Sequence, residues 1–407
     1  MMTMTAPDPS RAAAPPVTRR VFAAASSGYA DHLRTFGDRP APSADHLIAE
    51  LRDAGLTGRG GAGFPVHRKL AAVAARSARR GAAVIGNGSE GESLSSKDKT
   101  LLRFAPHLVI DGLLVCADAL GADDIRLVVD ELVQDAVSAA LAERTDADRV
   151  VVALAGGGFV GGEASAVVAG LHGRRALPAD RRVRLAEQGL HRAPTLLQNV
   201  ETLAHIALIA RYGADWHRRA GTVDDPGTRL VTVSGGGRPA RVFEAPGGTP
   251  IRALLEGAGI AAGSAVLVGG FHGAWLPAEA IHAPLSPAGL AEFGATPGAG
   301  IVHALAAGEC GLQATAGILE TLAAASARQC GPCLNGLPRI ADLFRALVAG
   351  HDTRAELARI AGLVEDRGAC HHPDGTVRLL RSALTVFDRD VAGHARGGCL
   401  ARLEAAA

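Results

Sequence analysis

The amino-acid sequence predicts a protein of three parts: an α/β layer, a small mixed domain and a helical C-terminal part. Short apolar runs alternate with helical segments up to about residue 171, which is typical of an α/β fold. Near Thr228 the pattern changes to short strands separated by glycine turns, and from Leu312 it is mostly helical. With 407 residues, the chain is long enough for two to four domains with sizeable cores.

The composition argues against two classes of protein. Aromatic residues make up 3% and the formal net charge is +1, so a nucleic-acid surface is not expected. No apolar run reaches the roughly 18 residues needed to span a bilayer, since residues 107–122 are interrupted by Asp111 and Asp118. The Ala/Pro-rich start lacks the apolar core of a signal peptide. We therefore expect residues 1–27 to be a disordered lead-in and the protein to be cytoplasmic, with peripheral association with a membrane complex left open.

The first part is predicted to contain alternating elements. Ser43 can cap a helix in which Leu47, Ile48 and Leu51 fall at helical spacing. Helices are predicted over residues 43–54, 68–80, 107–120, 133–144 and 163–171, and strands over 82–86, 125–130 and 149–154. Residues 174–184 are basic and irregular, and residues 194–202 are predicted to lead into a further helix.

The second part is predicted to be a compact domain of the β-grasp kind over residues 228–285. Strands are expected at 229–234, 241–244 and 265–268, with a short helix at 250–257. The helical part that follows holds four of the six cysteines, or five if Cys310 at its edge is counted.

A glycine-rich loop near residue 60 is the first candidate binding element. Four glycines in the six positions 58–63 allow the backbone to approach a ligand closely. Gly58, Gly60 and Gly63 match G-x-G-x-x-G, but a helix precedes them, so the dinucleotide-binding interpretation fails. Of the 42 basic residues only three are lysines, and all three follow this loop closely, which indicates specific roles. They are Lys69, Lys97 and Lys99.

A second glycine loop at residues 156–162 does follow a predicted strand. However, Glu163 stands where a phosphate would meet the next helix, and its charge opposes a phosphate there. A carboxylate at this place suits ribose hydroxyls or ring N–H groups better. The alternative is that both glycine loops are only tight turns that pack helix on strand.

An acidic loop follows the first predicted strand. It carries Asn87, Glu90 and Glu92, and the end of a strand is where an α/β sheet binds ligands. These residues are either the polar rim of a binding site or a solvated turn.

The cysteines do not resemble a disulfide framework. Cys330 and Cys333 form a C-x-x-C pair, but the preceding segment is helical, which argues against a thioredoxin-like motif. With Cys370 downstream, the pair indicates a metal or iron–sulfur set, and an unligated reduced pair is the alternative. His371 and His372 are each either a fourth ligand or part of a polar turn. Cys116 is expected in the core, while Cys310 and Cys399 carry no clear signal.

Four motifs occur in the order GRGGAGFP with Lys69, NGSEGE, the second glycine loop with Glu163, and PTLLQNVETLAH. These motifs and their order resemble those of the flavin-bearing, NADH-oxidising subunit of respiratory complex I. The diaphorase subunits of NAD-reducing hydrogenases and formate dehydrogenases are similar. The resemblance implies an FMN-binding α/β domain over residues 28–225, a soluble-ligand-binding β-grasp (SLBB) domain over 228–285 and a helical 4Fe–4S domain over 300–400. It implies hydride transfer from NADH to FMN, then single-electron transfer to an iron–sulfur cluster or to a partner, a ferredoxin or an iron–sulfur subunit.

The resemblance also implies site residues. Phe64 is similar to a ring that stacks on the nicotinamide dinucleotide, and Glu92 to a carboxylate near its ribose. The cluster ligands would be Cys330, Cys333 and Cys370. The FMN site would use Gly58, Gly60, Lys69, Asn87, Glu90, Gly162, Glu163, Asn199 and Thr202.

Five positions depart from the family pattern. Ser89 replaces an Asp, Ala164 a Glu, and Ala72 and Arg184 replace aromatic residues, so the NADH site is expected to be eroded while the FMN site is largely intact. Ala327 replaces a cluster cysteine, which leaves a four-iron cluster with an outside ligand, a three-iron cluster or no cluster. Two alternatives stay open: an NADH-independent flavoprotein that exchanges electrons with ferredoxin over a basic rim of Arg181 and Arg184, and a non-catalytic assembly or binding module.

Overall fold

The computed structural model describes residues 19–401 apart from 181–182. Its first sheet has four parallel strands in the order β3-β2-β1-β4, which confirms the predicted α/β layer. They are β1 (Ala83–Gly88), β2 (Asp124–Val129), β3 (Val150–Leu154) and β4 (Thr195–Asn199). Strand β4 is absent from the prediction, in which residues 194–202 only led into a helix.

Eight helices are assigned in this first part of the described chain. The hydroxyl of Ser43 accepts a hydrogen bond from the His46 N–H, so the predicted cap is confirmed. The helices are α1 (Tyr29–Phe36), α2 (Ala44–Asp53), α3 (Val66–Arg80), α4 (Lys97–Phe104), α5 (Pro106–Leu120), α6 (Gln134–Ala142), α7 (Ala164–Leu171) and α8 (Val200–Arg218).

Helices α5 and α8 pack against each other at the centre of the largest apolar core. Almost every side chain of α5 is buried, which explains why the helix is mostly apolar. A Cβ at Gly112 would lie 1.9 Å from the Leu203 carbonyl oxygen, so only glycine permits this approach. Cys116 lies fully buried in the same core, as predicted, and burial raises its pKa to about 12.

The described part of the predicted disordered lead-in is residues 19–27, and within it residues 20–24 pack against the rest of the protein. Val21 is fully buried, and its N–H and that of Arg20 donate to the Glu244 carboxylate. Residues 1–18 lie outside the described chain.

A second, mixed sheet has five strands in the order β6-β5-β9-β7-β8. Strand β9 is parallel to β5 and antiparallel to β7. The sheet therefore takes its central strand from beyond residue 285, within the range predicted as helical. Its elements are β5 (Thr228–Gly235), β6 (Arg238–Pro246), α9 (Ile251–Ala258), β7 (Ala265–Val268), β8 (Ala274–Pro277), α10 (Pro287–Leu290) and β9 (Ile301–Ala304).

The last part is helical and has its own apolar core, which it shares with residues of the second sheet. Trp275 on β8 contacts the ring of Phe387 in this core. The helices are α11 (Gly311–Ala324), a π-helical segment (Pro332–Gly336), α12 (Leu337–Val348), α13 (Arg354–Val364), α14 (His372–Val386) and α15 (Asp388–Ala395).

Within the described residues no single helix is long and apolar enough to cross a membrane, although α4 and α5, bent by 94° at their junction, pass as a pair on length and composition.

Candidate functional site

The strand order creates a crevice between β1 and β4. The chain proceeds from β1 outwards to β2 and β3, and then returns to the other side of β1 as β4. Ligands bind at such a topological switch point, beyond the carboxyl ends of the strands. Asn87 and Asn199 are paired neighbours at these ends, so two predicted site residues lie together at the switch point.

Asn199 is held by a buried charge network. Its Nδ2 donates to Asp98 Oδ2 over 2.6 Å, and its Oδ1 accepts from the Glu201 N–H. Lys97 Nζ lies 2.7 Å from Asp98 Oδ1 and 2.8 Å from Glu201 Oε2. All three charged groups are fully buried, and the two carboxylates raise the pKa of Lys97 against the cost of burial. Lys97 is therefore a structural cation: it holds the two carboxylates that surround Asn199 at the site.

The first glycine loop lies directly over α8. The Arg59 N–H donates to the Thr202 hydroxyl over 2.9 Å, and a Cβ at Gly60 would lie 3.2 Å from Asn199 Cβ. The Gly58 N–H donates to the Phe64 carbonyl, which closes the loop and leaves the Phe64 ring 53% exposed. Thr202 itself is fully buried and positions the loop backbone.

The second glycine loop is tied to the end of β1. Asn87 Nδ2 donates to the Gly162 carbonyl over 2.9 Å, and Asn87 Oδ1 accepts from the Ser89 N–H. Glu163 caps α7, since its carboxylate accepts from the Ser165 and Ala166 N–H groups. The predicted residues Asn87, Gly162 and Glu163 are thus adjacent.

Glu90 has a clear structural contact set. Its carboxylate accepts from the backbone N–H groups of Asp98 and Lys99, each over 3.1 Å, at the start of α4. It also accepts from the Ser95 hydroxyl over 2.5 Å. Glu90 therefore caps α4, a role that the sequence prediction missed because several loop residues separate it from its helix.

Lys69 lies one turn into α3 and reaches towards the end of β4, where its Nζ donates to the Leu197 carbonyl. Burial lowers its pKa to about 8, and the nearby Glu163 charge opposes this only in part. In the described part of the chain no carboxylate is within salt-bridge distance of Lys69 Nζ. A buried ammonium without an anion is costly, and an anionic ligand would remove that cost.

Two further polar groups near the switch point lack partners. The hydroxyl of Ser89, which follows β1, and the Gln198 Nε2 group, which precedes Asn199, are buried without a hydrogen bond within the described structure. Such groups are rare in folded proteins unless something else binds them. Neither was predicted from the sequence as a site residue.

Glu92 contacts the loop between β7 and β8 of the second sheet. The Glu92 Oε1 atom accepts a hydrogen bond from the Phe271 N–H over 2.7 Å, and a Cβ at Gly270 would lie 2.4 Å from the same oxygen. Burial raises the pKa of Glu92 to about 7, and the Glu90 charge adds to this.

We expect Glu92→Gln to stabilise the protein near neutral pH. The carboxyl keeps its proton up to about pH 7 in the folded state, whereas the unfolded chain loses it near pH 4.5. The free energy of unfolding therefore falls as the pH rises from about 4.5 to 7, by up to about 3 kcal/mol for this group. Glutamine retains the acceptor without this titration, so thermal unfolding of the variant should depend less on pH over that window. An unchanged pH dependence would contradict the shift; Glu131→Gln is the exposed control.

Cys330 and Cys333 lie at the start of the π-helical segment, and Cys370 lies just before α14. Burial raises the pKa of the Cys333 thiol to about 12, with contributions from Cys330 and Cys370, so the three predicted ligands are brought together. Ala327 is half-buried and offers no ligand atom. One residue earlier, the Ser326 hydroxyl is buried without a partner in the described structure.

Both histidines that were candidates for the fourth cluster ligand are bonded to other groups of the protein. His372 Nε2 donates to the Leu322 carbonyl over 2.8 Å, which leaves Nδ1 to accept from His272 Nε2 at 3.0 Å. His371 is exposed and pairs with Asp374 over 3.1 Å.

Comparison with known proteins shows the family to which the chain belongs. Residues 51–208 match the family described as the Nuo51 FMN-binding domain, and residues 313–394 match the NADH-ubiquinone oxidoreductase-F iron-sulfur binding region. The NADH-quinone oxidoreductase F subunit of Salmonella typhimurium is 30% identical over 85% of this chain and 83% of its own length. The chain belongs to the family of NADH-quinone oxidoreductase F subunits. The related F 2 subunit of Rhizobium meliloti is 28% identical over 91% of this chain and 93% of its own length.

Solved structures extend the likeness to the fold. An NAD+-reducing [NiFe]-hydrogenase chain in the air-oxidised state superposes with a TM-score of 0.80 and 30% identity, over 91% of this chain and 67% of that one. The H2-reduced state gives a TM-score of 0.78 and 29% identity, over 86% of this chain and 63% of that chain. Both the parallel sheet and the second sheet thus belong to a known architecture.

The residues at the switch point fit the FMN of this family. FMN carries a phosphate and many hydrogen-bonding groups; the crevice offers the buried Lys69 ammonium and the partnerless Ser89 and Gln198 groups. The glycine loops leave backbone exposed to a ligand. Of the cluster ligands that the family resemblance implies, the chain has the three thiols of Cys330, Cys333 and Cys370, and Ala327 offers no ligand atom.

Proposed function

We propose that the protein oxidises NADH, or another two-electron donor, at FMN bound at the carboxyl ends of β1 and β4, and transfers the electrons to an iron–sulfur centre. The observation that carries this proposal is the buried Lys69 ammonium without an anion, beside the unpartnered Ser89 and Gln198 groups. We propose residues 28–225 as the FMN domain, 228–285 as the core of a β-grasp domain and 300–400 as the cluster domain.

In this site the chain binds and orients. FMN supplies the chemistry that links a two-electron donor to one-electron acceptors. Lys69 binds the phosphate by a charge-assisted hydrogen bond, because its charge lacks another partner. Gly58, Gly60 and Gly162 allow close approach of the backbone. Asn87 and Asn199 fix the two strand ends that would hold the flavin.

The other predicted residues position this frame. Thr202 holds the first glycine loop, Glu90 holds α4, and Glu163 holds α7 beside Lys69. The exposed Phe64 ring is free to stack on a planar donor, and Glu92 lies at the rim where the donor's ribose would approach. Each is therefore proposed to serve FMN or donor binding directly or through the loop it fixes.

Cys330, Cys333 and Cys370 are proposed to hold three irons of a cluster. Three thiolates leave one iron of a four-iron cluster for an outside ligand, or support a three-iron cluster. The expected partners are a ferredoxin or an iron–sulfur subunit of a larger, peripheral membrane complex, with a cytoplasmic location.

A second candidate function is flavin-dependent exchange of electrons with ferredoxin without NADH. It is favoured by Ala72, Ala164 and Arg184 at positions where the family has aromatic or acidic groups. Arg184 is exposed, as a rim for an acidic partner requires; Arg181 lies outside the described residues.

Purification without air tests both candidates. We expect a yellow protein with bound FMN, iron and sulfide, whose flavin absorbance is bleached by NADH in a stopped-flow experiment. Bleaching by reduced ferredoxin, but not by NADH, would favour the second candidate. A colourless, iron-free protein that binds no added FMN would contradict both and support an assembly or binding module.

A further inference from the structure

Three residues far apart in the sequence meet where the start and the end of the helical part come together. They are Cys310, His394 and Cys399, whose ligand atoms all lie within 4.8 Å of one another. Cys310 immediately precedes α11, His394 lies in the last turn of α15, and Cys399 follows α15. The family resemblance gives these residues no role.

The distances suit a tetrahedral metal ion. Cys310 Sγ lies 3.4 Å from His394 Nε2. With Zn–S and Zn–N bonds of about 2.3 and 2.0–2.1 Å, the S–N edge of a tetrahedron is about 3.6 Å and the S–S edge about 3.8 Å. The Cys310–His394 separation is therefore already close to the one that a shared zinc ion requires, and Cys399 Sγ lies within 4.8 Å of both atoms.

The histidine is held in the ligating tautomer. His394 Nδ1 lies 2.6 Å from the Val348 carbonyl, which can only accept a hydrogen bond, so Nδ1 carries the proton. In the neutral ring this leaves the Nε2 lone pair directed at Cys310. A bond from the remote nitrogen to a carbonyl is the usual arrangement of a metal-bound histidine.

The backbone turns the tail back towards this histidine. Gly397 has φ 78°, a left-handed conformation that glycine adopts readily, and its N–H donates to the His394 carbonyl. The Gly398 N–H donates to the Gly393 carbonyl over 3.1 Å. This C-terminal motif places Cys399 beside the last turn of α15, where the thiol can reach His394 and Cys310.

We propose that Cys310, His394 and Cys399 bind a structural zinc ion, with water as the fourth ligand. Zinc is favoured over hard cations because two sulfurs and an imidazole are soft or borderline ligands. Binding converts both thiols to thiolates and releases their two protons to solvent, so the ion and its thiolates are neutral together. The ion would join Cys310, at the start of the helical part, to the segment that follows α15.

The test measures zinc separately from iron in the full-length protein, purified without chelators. We expect one zinc per chain in the wild type and at least an about tenfold loss of zinc in His394→Ala and Cys399→Ser. His351→Ala, which removes an exposed histidine of the same helical part, should retain zinc. Iron and FMN contents should not change in any of these variants.

A titration keeps the proposal testable if a variant fails to fold. Wild-type protein stripped by a chelator should bind Co²⁺ with visible bands of a tetrahedral thiolate site, and added Zn²⁺ should displace them and raise the melting temperature. Wild-type protein with neither zinc nor cobalt uptake overturns the proposal. A Cys310–Cys399 disulfide in protein purified under reducing conditions, found by mass spectrometry, overturns it as well.

Discussion

Replacing Lys69 with Met is expected to weaken FMN binding about tenfold to a hundredfold. The variant keeps the length of the side chain but removes the buried charge that lacks an anionic partner. Hydrogen bonds to charged groups contribute about 1.5–3 kcal/mol, and about 1.4 kcal/mol corresponds to a factor of ten in affinity. Quenching of flavin fluorescence by the apoprotein measures the dissociation constant directly.

Arg68→Met is the matched control for this variant. It removes one positive charge from the neighbouring, exposed position of the same helix and should change FMN affinity little. The pH dependence gives a second readout: wild-type affinity should fall as the pH rises above about 8, where Lys69 loses its proton in the free protein. Lys69→Met should lack this fall. Equal affinities of the two variants would contradict a phosphate-binding role for Lys69.

The same substitution should stabilise the apoprotein. The pKa of Lys69 is about 8 in the folded state and near its ordinary 10.5 in the unfolded chain, so the unfolded chain binds more protons between these values. Wild-type stability therefore rises from pH 8 to 10.5, and below pH 8 the buried charge costs up to about 3 kcal/mol. A higher melting temperature with weaker FMN binding would separate loss of a ligand contact from misfolding.

Much of the α/β layer follows from its apolar runs. Strands β1, β2 and β3 are apolar segments bounded by polar loops, and their positions were predicted within one or two residues. Strand β4 was missed because it is short and runs directly into α8 without a turn, so its residues were assigned to the start of the helix. Without β4 the switch point between β1 and β4 could not be located.

The roles of the polar site residues were harder to predict. The residue pattern identified Lys69 as a rare lysine and Asn87 as an amide at the end of a predicted strand. Asn199 was predicted only through the family resemblance, because β4 itself was not predicted. It did not show that Glu90 caps α4, because that bond depends on how a loop folds back. Ser89 and Gln198 became candidates only when their lack of partners was visible.

The sites made by distant residues could not be predicted from spacing. Cys310 and Cys399 are separated by 89 positions, and the packing of α15 against α12 and α14 helps to bring His394 close to both. The C-x-x-C pair, by contrast, was readable because its ligands are close in sequence.

Ala327→Cys is expected to convert an incomplete cluster site into a complete one. The wild type supplies three thiols, and Ala327 occupies the position of the fourth in the family pattern. A fourth thiolate would complete the Cys₄ set that four-iron clusters use. We expect the variant to contain more iron per chain than the wild type after purification without air, and to lose it more slowly in air.

Ala325→Cys separates this effect from the mere addition of a thiol. Ala325 is half-buried like Ala327 and lies two residues away, at the end of α11, so a cysteine at position 325 should leave the iron content unchanged.

The buried, partnerless Ser326 hydroxyl is a candidate oxygen ligand for the open iron. Ser326→Ala should therefore lower the iron content when residue 327 is Ala, but not when Ala327→Cys is also present. Equal iron content and equal air stability in Ala327→Cys, Ala325→Cys and the wild type would mean that position 327 does not face a cluster. Electron paramagnetic resonance of the oxidised and reduced proteins then decides between the two wild-type forms, because an oxidised three-iron cluster gives a signal that a four-iron cluster gives only after reduction.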